Sequence, residues 1–328
     1  MFLGRIFAVV CIATLCSASC MAWDKLPDVL RDHLRNKEIR EERMQFNAEE
    51  GLLVANGVDL WDLSLLKGLN LKILSLNGNG ITNLYPLKGL RLVALFLNGN
   101  LELKDLSPLS GMPLERLHIE RTSVADLSPL RDSPIKVLDA SETRITDLAP
   151  LKGLPLQRLA IWYTDVEDLS PLQGAPLTSF SATHTRISDL SPLTRCPLRV
   201  LTLEGTKVVD LTSLSGTNLT TLNINGTAVQ SIASLKGMPL DAFRAADTPL
   251  ADLSALEGMP LDIVDISGSR ATDLSPLQGS PLSALTASPR VVEKNIHILR
   301  KIATLKFING WRVDWKEWDK RGPTVLKE

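Results

Sequence analysis

Hydrophobic and polar positions along this chain recur with a single period. Asp62, Asn83, Asp105, Asp126, Asp147, Asp168, Asp189, Asp210, Ser231, Asp252 and Asp273 each open a near-copy of one unit. The steps between them are 21 residues, with one step of 22 between Asn83 and Asp105. A fixed period of this length marks a solenoid, in which each unit cannot bury its apolar face alone and stacks on its neighbours. Within one unit Leu114, Leu117 and Ile119 are apolar, while Arg116, His118 and Glu120 alternate with them. A period of two is that of a strand with aliphatic side chains turned inward and polar ones outward. The pattern predicts strands over residues 71–76, 92–97, 114–119, 135–140, 156–161, 177–182, 198–203, 219–224, 240–245, 261–266 and 282–287.

The polar positions after each strand predict how the chain turns. Thr122, Thr143, Thr164, Thr185, Thr206, Thr227 and Thr248, with Asn79 and Asn100 in the earlier units, stand where the strand bends away. A short polar side chain there satisfies backbone groups, each bond contributing about 1 kcal/mol. Val124 then turns inward, and Asp126 is placed to accept a backbone N–H just downstream. Pro129 fixes its own φ and disfavours helix at Ser128, so the returning turn is short and of the 3₁₀ kind. Gly111, Gly153, Gly174, Gly216, Gly237, Gly258 and Gly279 stop it at a position suited to positive φ. Three units, at Asp210, Ser231 and Asp252, lack the proline, and looser turns are expected there. The extra residue within 101–104 is expected to bulge after the second full strand.

The register fails at both ends. Leu26, Val29, Leu30 and Leu34 form one apolar stripe on a charged segment, read as a helical lid over the first unit; binding to a membrane surface is the other reading. A degenerate half-unit follows over residues 46–63. Past Ala287 a helical stripe of Ile296, Leu299, Ile302 and Leu305 leads to a last strand at LKFING. Trp311, Trp315 and Trp318 then fall on one face if that stretch is helical, as a cap burying the last unit or an exposed aromatic surface. The resulting boundaries are a leader over 1–22, an N-terminal cap over 23–52, a repeat array of about eleven units plus a half over 53–290, and a C-terminal cap over 291–328.

Composition changes this picture only at the edges. Of 328 residues, 36 are Lys or Arg and 37 Asp or Glu; the net charge of -1 gives no pull toward nucleic acid or anionic lipid. Residues 1–22 combine Arg5, an uncharged apolar run from 6 to 16 and small residues thereafter, the layout of a secretory signal peptide. Export to the periplasm, the medium or the cell surface is expected. Cleavage after Ala22 and lipid attachment through Cys20 both remain open. Cys11, Cys16 and Cys20 lie in that leader, leaving Cys196 in a slot filled elsewhere by Met112, Leu154, Ala175 and Met259, so it reads as a small buried hydrophobe. A monomer is expected.

The frame L-x-x-L-x-L-x-x-N-x-[IV]-x-D-[LI]-x-P-L resembles the short internalin-type class of bacterial leucine-rich repeats. The longer D-L-S-P-L-x-G-M-P-L-x-x-L-x-x-x-x-T-x-[VI], with its tail at residues 299–306 and 315–318, looks like exported arrays of planctomycete-type bacteria, some of which sit beside a protein-kinase domain. No Gly-rich loop, H-R-D or D-F-G of such a kinase occurs in this chain. The resemblance, together with the periodicity, implies an α/β solenoid: a leucine-rich-repeat arc with a parallel sheet on its concave face, 3₁₀ turns on its convex face and helical caps. It implies a binding scaffold and leaves the ligand open.

Catalytic chemistry finds little to work with. His118 and His184 are expected on strands three units apart, about 14 Å at the usual strand spacing, too far to share a metal or a proton relay. His33 and His297 fall in the caps, and no H-E-x-x-H, G-x-S-x-G or phosphate-binding loop is present. No enzyme activity, cofactor or metal is expected. The row Asp105, Asp126, Asp147, Asp168 and Asp189 invites calcium, but turn capping accounts for it without an ion. The concave face changes character in one place. Arg116, His118, Glu120, Arg121, Asp139, Arg158, Trp162, Tyr163 and His184 gather there, Trp162 and Tyr163 standing in slots that elsewhere hold Asn-Gly, Glu-Gly or Ser-Glu. Outward aromatic rings beside arginine are the composition of a binding hot spot. These residues are the candidate site for a protein or peptide partner. A carbohydrate-binding or envelope-structural protein that stacks sugar rings on the aromatics is the alternative.

Overall fold

The computed structural model describes residue 28, residues 30–32 and residues 44–321. The leader and most of the expected N-terminal helix lie outside them; Leu30, from its apolar stripe, is fully buried. Fifteen strands form one sheet in strict sequence order. β1 (Met44–Asn47) and β2 (Leu52–Ala55) are an antiparallel hairpin, and β2 then pairs in parallel with β3 (Ile73–Ser75). The hairpin was not foreseen, since only Leu53 and its successors fit the repeat register. From β3 to β13 (Ala284–Thr286) every repeat supplies one parallel strand at its expected place.

These strands are three residues long rather than six: β4 is Ala94–Phe96, β5 Arg116–His118, β6 Val137–Asp139, β7 Arg158–Ala160 and β8 Ser179–Ser181. The pattern of two persists outside them because side chains on either side must still face inward to fill the coil. Leu114, Leu117, Ile119, Val124, Leu127 and Leu130 of one coil are all fully or almost fully buried, as are their counterparts throughout. Each such side chain contributes about 1.5–3 kcal/mol relative to exposure.

The return path is 3₁₀ in every repeat, from Leu63–Leu66 to Ser275–Leu277. The capping reading holds atom by atom: Asp126 Oδ1 accepts the Ser128 N–H at 2.8 Å and Oδ2 the Ser128 hydroxyl at 2.7 Å. Asp105, Asp168, Asp189, Asp252 and Asp273 repeat both bonds with their own serines. The backbone and hydroxyl bonds hold the carboxyls of Asp126, Asp168, Asp252 and Asp273 below the usual carboxylate range. Loss of the proline does not loosen the turn. Thr212–Leu214, Ala233–Leu235 and Ser254–Leu256 remain 3₁₀, because Asp210, Ser231 and Asp252 still accept the same N–H. Gly279 departs from the expected positive φ: it follows a helical Gln278, just as Asp132 and Arg195 follow helical residues in their repeats.

At the bend two devices appear. Thr122 Oγ1 donates to the carbonyl of Ile119 at 2.8 Å, and six later threonines do likewise. Asn79 and Asn100 instead reach across to the preceding coil: Asn100 Oδ1 accepts the N–H groups of Asn79 and Ile81. The extra residue is absorbed just after Asn100, where the chain makes an added turn and Leu101 is left exposed.

The C-terminal cap consists of α1 (Pro289–Lys294), α2 (Ile296–Leu299), an antiparallel pair β14 (Phe307–Ile308) and β15 (Trp311–Arg312), and α3 (Trp315–Arg321). Buried Asn295 repeats the asparagine device, its Oδ1 accepting the Leu274 N–H. The three tryptophans do not share a helix face, because Trp311 belongs to β15 and is exposed. Trp315 and Trp318 pack edge to face and cover the core, with Arg300 over the Trp315 ring. Cys196 is a free, buried thiol whose pKa is raised by burial.

Candidate functional site

The candidate residues come from four successive coils around β5, β6, β7 and β8, and the structure sorts them into three layers. At the last residue of each strand, Phe96, His118, Asp139 and Ala160 are register partners. His118 and Asp139 face the concave side but are only 2% exposed, which corrects the expectation that they lie open. Adjacent strands bring their side chains into contact, and the Phe96 ring lies against His118 with centroids 4.8 Å apart. Burial, and then Arg158 and Arg116, lower the His118 pKa to about 4, so the imidazole is neutral at pH 7. Burial also pushes the Asp139 carboxyl upward, against bonds from Ser141 that pull it down. Arg116 and Arg158 flank this row, half-buried.

Just past the strand ends Glu120, Ser141 and Trp162 occupy equivalent positions of successive repeats. Earlier in this column Asn56, Asn77 and Asn98 each accept the N–H of the next repeat through Oδ1, ending at Glu120. There a single carboxylate, Glu120, replaces the amide, and Ser141 and Trp162 follow it. Burial, and then the neighbouring Asp139 and Glu142, push the Glu120 carboxyl up to about 7, with Arg121 opposing them.

The outermost layer is the one most informative about function. Arg121, Glu142, Tyr163 and His184 all have positive φ, between 49° and 56°. Equivalent positions in flanking repeats are Gly78, Gly99, Gly205 and Gly226. Left-handed backbone costs an L-residue about 1–2 kcal/mol. Four consecutive repeats therefore carry strain that glycine would remove, and such strain concentrates at functional positions. His184 lies in this turn, not on a strand as expected. Its ring stacks on Tyr163 with centroids 4.6 Å apart, and Trp162 meets Tyr163 edge-on at 5.8 Å. Tyr163 remains 56% exposed. Arg121 and Glu142 form an ion pair at 3.7 Å in the same outer row.

The row ends where glycine returns. A Cβ at Gly205 falls 2.3 Å from His184 Nδ1, so the absence of a side chain gives the ring its place. Gly205→Ala is expected to cost about 1–2 kcal/mol for its left-handed backbone, plus a further loss from moving His184. Urea titration of Gly205→Ala in the wild-type chain and in a His184→Gly background checks this, since the loss is smaller in the second background by the part due to the ring. The sequence singled out the aromatic pair, while the row of four shows only as a gap in a column that glycine fills in the repeats on either side.

No family model matches the chain, and no curated protein matches it. Solved structures do. An internalin (InlF) from Listeria monocytogenes matches 89% of this chain and 92% of its own length, with a TM-score of 0.73 and 21% identity. Internalin C2 from the same organism matches 64% of this chain and 99% of its own, with a TM-score of 0.52 and 28% identity. The fold is that of an internalin-like leucine-rich-repeat solenoid. The leucine-rich-repeat domain of APL1 is also similar, over 76% of this chain and 75% of that domain, with a TM-score of 0.53 and 17% identity. As a leucine-rich-repeat solenoid the chain has the architecture of a protein-interaction scaffold. Among the described residues no group of three or more His, Cys, Asp or Glu could hold a metal ion, and no helix is long and apolar enough to cross a membrane.

Proposed function

We propose that this protein is an exported, non-enzymatic binding module that takes a protein or peptide on the concave side of its solenoid, at the row formed by Trp162, Tyr163 and His184. One observation carries the reading. Four consecutive repeats hold Arg121, Glu142, Tyr163 and His184 in left-handed backbone where, in the flanking repeats, only Asp247 replaces glycine, and the outcome is an aromatic stack whose Tyr163 faces solvent. Packing does not explain it, since Tyr163 stays mostly in water. Large, rigid rings that lose little rotamer freedom are the usual anchors of protein interfaces. Export rests on the leader pattern of residues 1–22 and on the likeness to exported planctomycete-type arrays, with lipid attachment through Cys20 as one mode of retention.

The test compares the wild-type chain with Trp162→Ala/Tyr163→Ala as bait in envelope and culture-medium extracts. Stability is expected to fall by no more than about 2 kcal/mol, because Tyr163 is exposed, Trp162 is only half-buried, and the lost stacking contributes about 0.5–1.5 kcal/mol. Partner recovery is expected to fall at least tenfold. Equal recovery by the two baits removes this site. The exposed ring faces also suit a sugar, and binding on a glycan array without a protein partner favours the carbohydrate reading.

A further inference from the structure

We propose that Asn309 is a modification site: its side-chain amide is lost by attack of the Gly310 nitrogen, and the isoaspartate so formed loosens the hairpin that closes the C-terminal end of the sheet. The inference does not depend on what the concave face binds. Six Asn-Gly pairs occur in the chain, at Asn56, Asn77, Asn79, Asn98, Asn225 and Asn309. Glycine has no Cβ to keep its nitrogen away from the preceding side chain, so every such pair has the makings of this reaction. The fold treats the six unequally.

Four of the pairs are clamps. Asn56 Oδ1 accepts the Asn77 N–H while Gly57 N donates to the Asn77 carbonyl, both at 2.8 Å. Asn77-Gly78 holds Asn98 in the same way, Asn98-Gly99 holds Glu120, and Asn225-Gly226 holds Ala246. In each clamp the glycine nitrogen, which would be the nucleophile, is committed to a carbonyl of the next coil. Asn79 is protected differently. It is buried, and its amide is fixed by two accepted and two donated bonds.

Asn309 keeps only half of the clamp. Its Oδ1 accepts the Ala287 N–H at 3.0 Å, but among the described residues the Gly310 N–H has no partner. Gly310 is exposed, and a Cβ placed on it would meet nothing within 4 Å, so base from solvent reaches the N–H. The reason is the turn. Asn309 and Gly310, with φ of 53° and 84°, are the two-residue loop between β14 and β15, and Asn-Gly is the preferred sequence for a loop with positive φ at both positions. The repeats end here, so no next coil offers the glycine a carbonyl. The Ala287 N–H, meanwhile, stabilises the charge that builds on Oδ1 as the nitrogen adds, as an oxyanion-hole donor does.

The step needs no co-reactant but water. Gly310 N gives its proton to solvent base and adds to Asn309 Cγ. The Cγ–Nδ2 bond breaks, ammonia leaves with a proton from solvent, and a five-membered imide remains. Water then opens the imide at either carbonyl, giving aspartate or isoaspartate. Aspartate keeps the main chain as it was and still accepts the Ala287 N–H. Isoaspartate routes the main chain through the former side chain and lengthens it by one atom, for which a two-residue loop has no slack. Ile308, only 1% exposed, pairs with Trp311 across this loop, so the added atom pulls a core residue out of register.

The experiment is peptide mapping by mass spectrometry of the full chain kept at pH 8 for several weeks, both folded and in urea, with isoaspartate read by enzymatic methylation. In the folded chain Asn309 is expected to convert at least tenfold faster than Asn56, Asn77, Asn79, Asn98 or Asn225. In urea the six are expected to convert at comparable rates. Hydrogen exchange of the aged fraction is expected to show lost protection at Val313, whose N–H donates to Lys306 across the hairpin. Freshly made Asn309→Asp, which changes the charge but not the length of the main chain, is expected to keep that protection. Conversion of Asn309 no faster than the other pairs in the folded chain, the same lead for Asn309 in urea, or a hairpin still protected once isoaspartate has formed overturns the proposal.

Discussion

Replacing Asn100 by Ala is expected to lower stability by about 3 kcal/mol, against about 1 kcal/mol for Thr122→Ala at the equivalent position of the next repeat. The difference follows from what each side chain holds. Asn100 is fully buried and makes four bonds. Its Oδ1 accepts from Asn79 N at 3.0 Å and Ile81 N at 2.9 Å, and its Nδ2 donates to the carbonyls of Leu76 at 3.1 Å and Leu97 at 2.7 Å. Alanine there strands two N–H groups and weakens two carbonyls in a dry interior, and an unsatisfied buried group costs about 1–3 kcal/mol. Thr122 makes one local bond, to Ile119 O. Its repeat does not need more, because the corresponding amides of the coil before are met by that coil's own backbone: Asn100 N donates to Leu97 O and Leu103 N to Asn100 O. Asn100→Thr is therefore expected to lose nearly as much as Asn100→Ala, although threonine is the residue most repeats use. Urea unfolding gives the magnitudes, and hydrogen exchange gives the place: the amides of Asn79 and Ile81 lose protection before those of the later repeats.

That contrast also shows where sequence reading stops. The fold was legible because 21-residue periodicity is a statement about packing. Each Leu in the frame answers to a buried position, each Asp to an N–H at the head of a 3₁₀ turn, and these constraints recur so often that chance cannot imitate them. Asparagine and threonine at the bend look like alternatives for one task, yet they solve it by different routes, one between coils and one within a coil. Only coordinates distinguish a bond to the residue three back from one to the coil before. The candidate site was half legible for the same reason. Trp162 and Tyr163 stand out against their columns, while the burial of His118 and Asp139 depends on the neighbouring strands, which a residue's own repeat does not reveal. The left-handed turn of Arg121, Glu142, Tyr163 and His184 could have been inferred by asking why glycine fills that column on both sides.

Phe180→Ala is expected to cost about 3–5 kcal/mol, the usual loss for a phenylalanine removed from a packed core. Phe180 is fully buried in a column where Leu95, Leu117, Leu138, Leu159, Leu201 and Leu222 stand in the repeats around it. A ring needs more room than a leucine, and the room comes from two residues further on. Phe180 is followed by Ala182, and the other phenylalanine of the column, Phe243, by Ala245, both alanines fully buried; the preceding repeat places Leu159 with Ile161 instead. In these two coils the ring and the alanine divide a space that Leu159 and Ile161 divide in the repeat before Phe180, whereas Leu138 sits with Ala140 one repeat earlier still. Two further substitutions follow from this. Ala182→Ile alone overfills the coil and costs about 1–3 kcal/mol, and Phe180→Leu alone leaves a void. Combined, Phe180→Leu/Ala182→Ile restores the division of the preceding repeat and is expected to cost less than about 1.5 kcal/mol, below the sum of its parts. Chemical denaturation of the four chains measures the coupling. Simple additivity would mean that ring and alanine do not share one space, and the fit of unlike side chains into equal coils would then need another cause. Because each coil touches only its neighbours, the void left by Phe180→Ala is also expected to weaken the array at its centre, so that the two flanks unfold at separate urea concentrations.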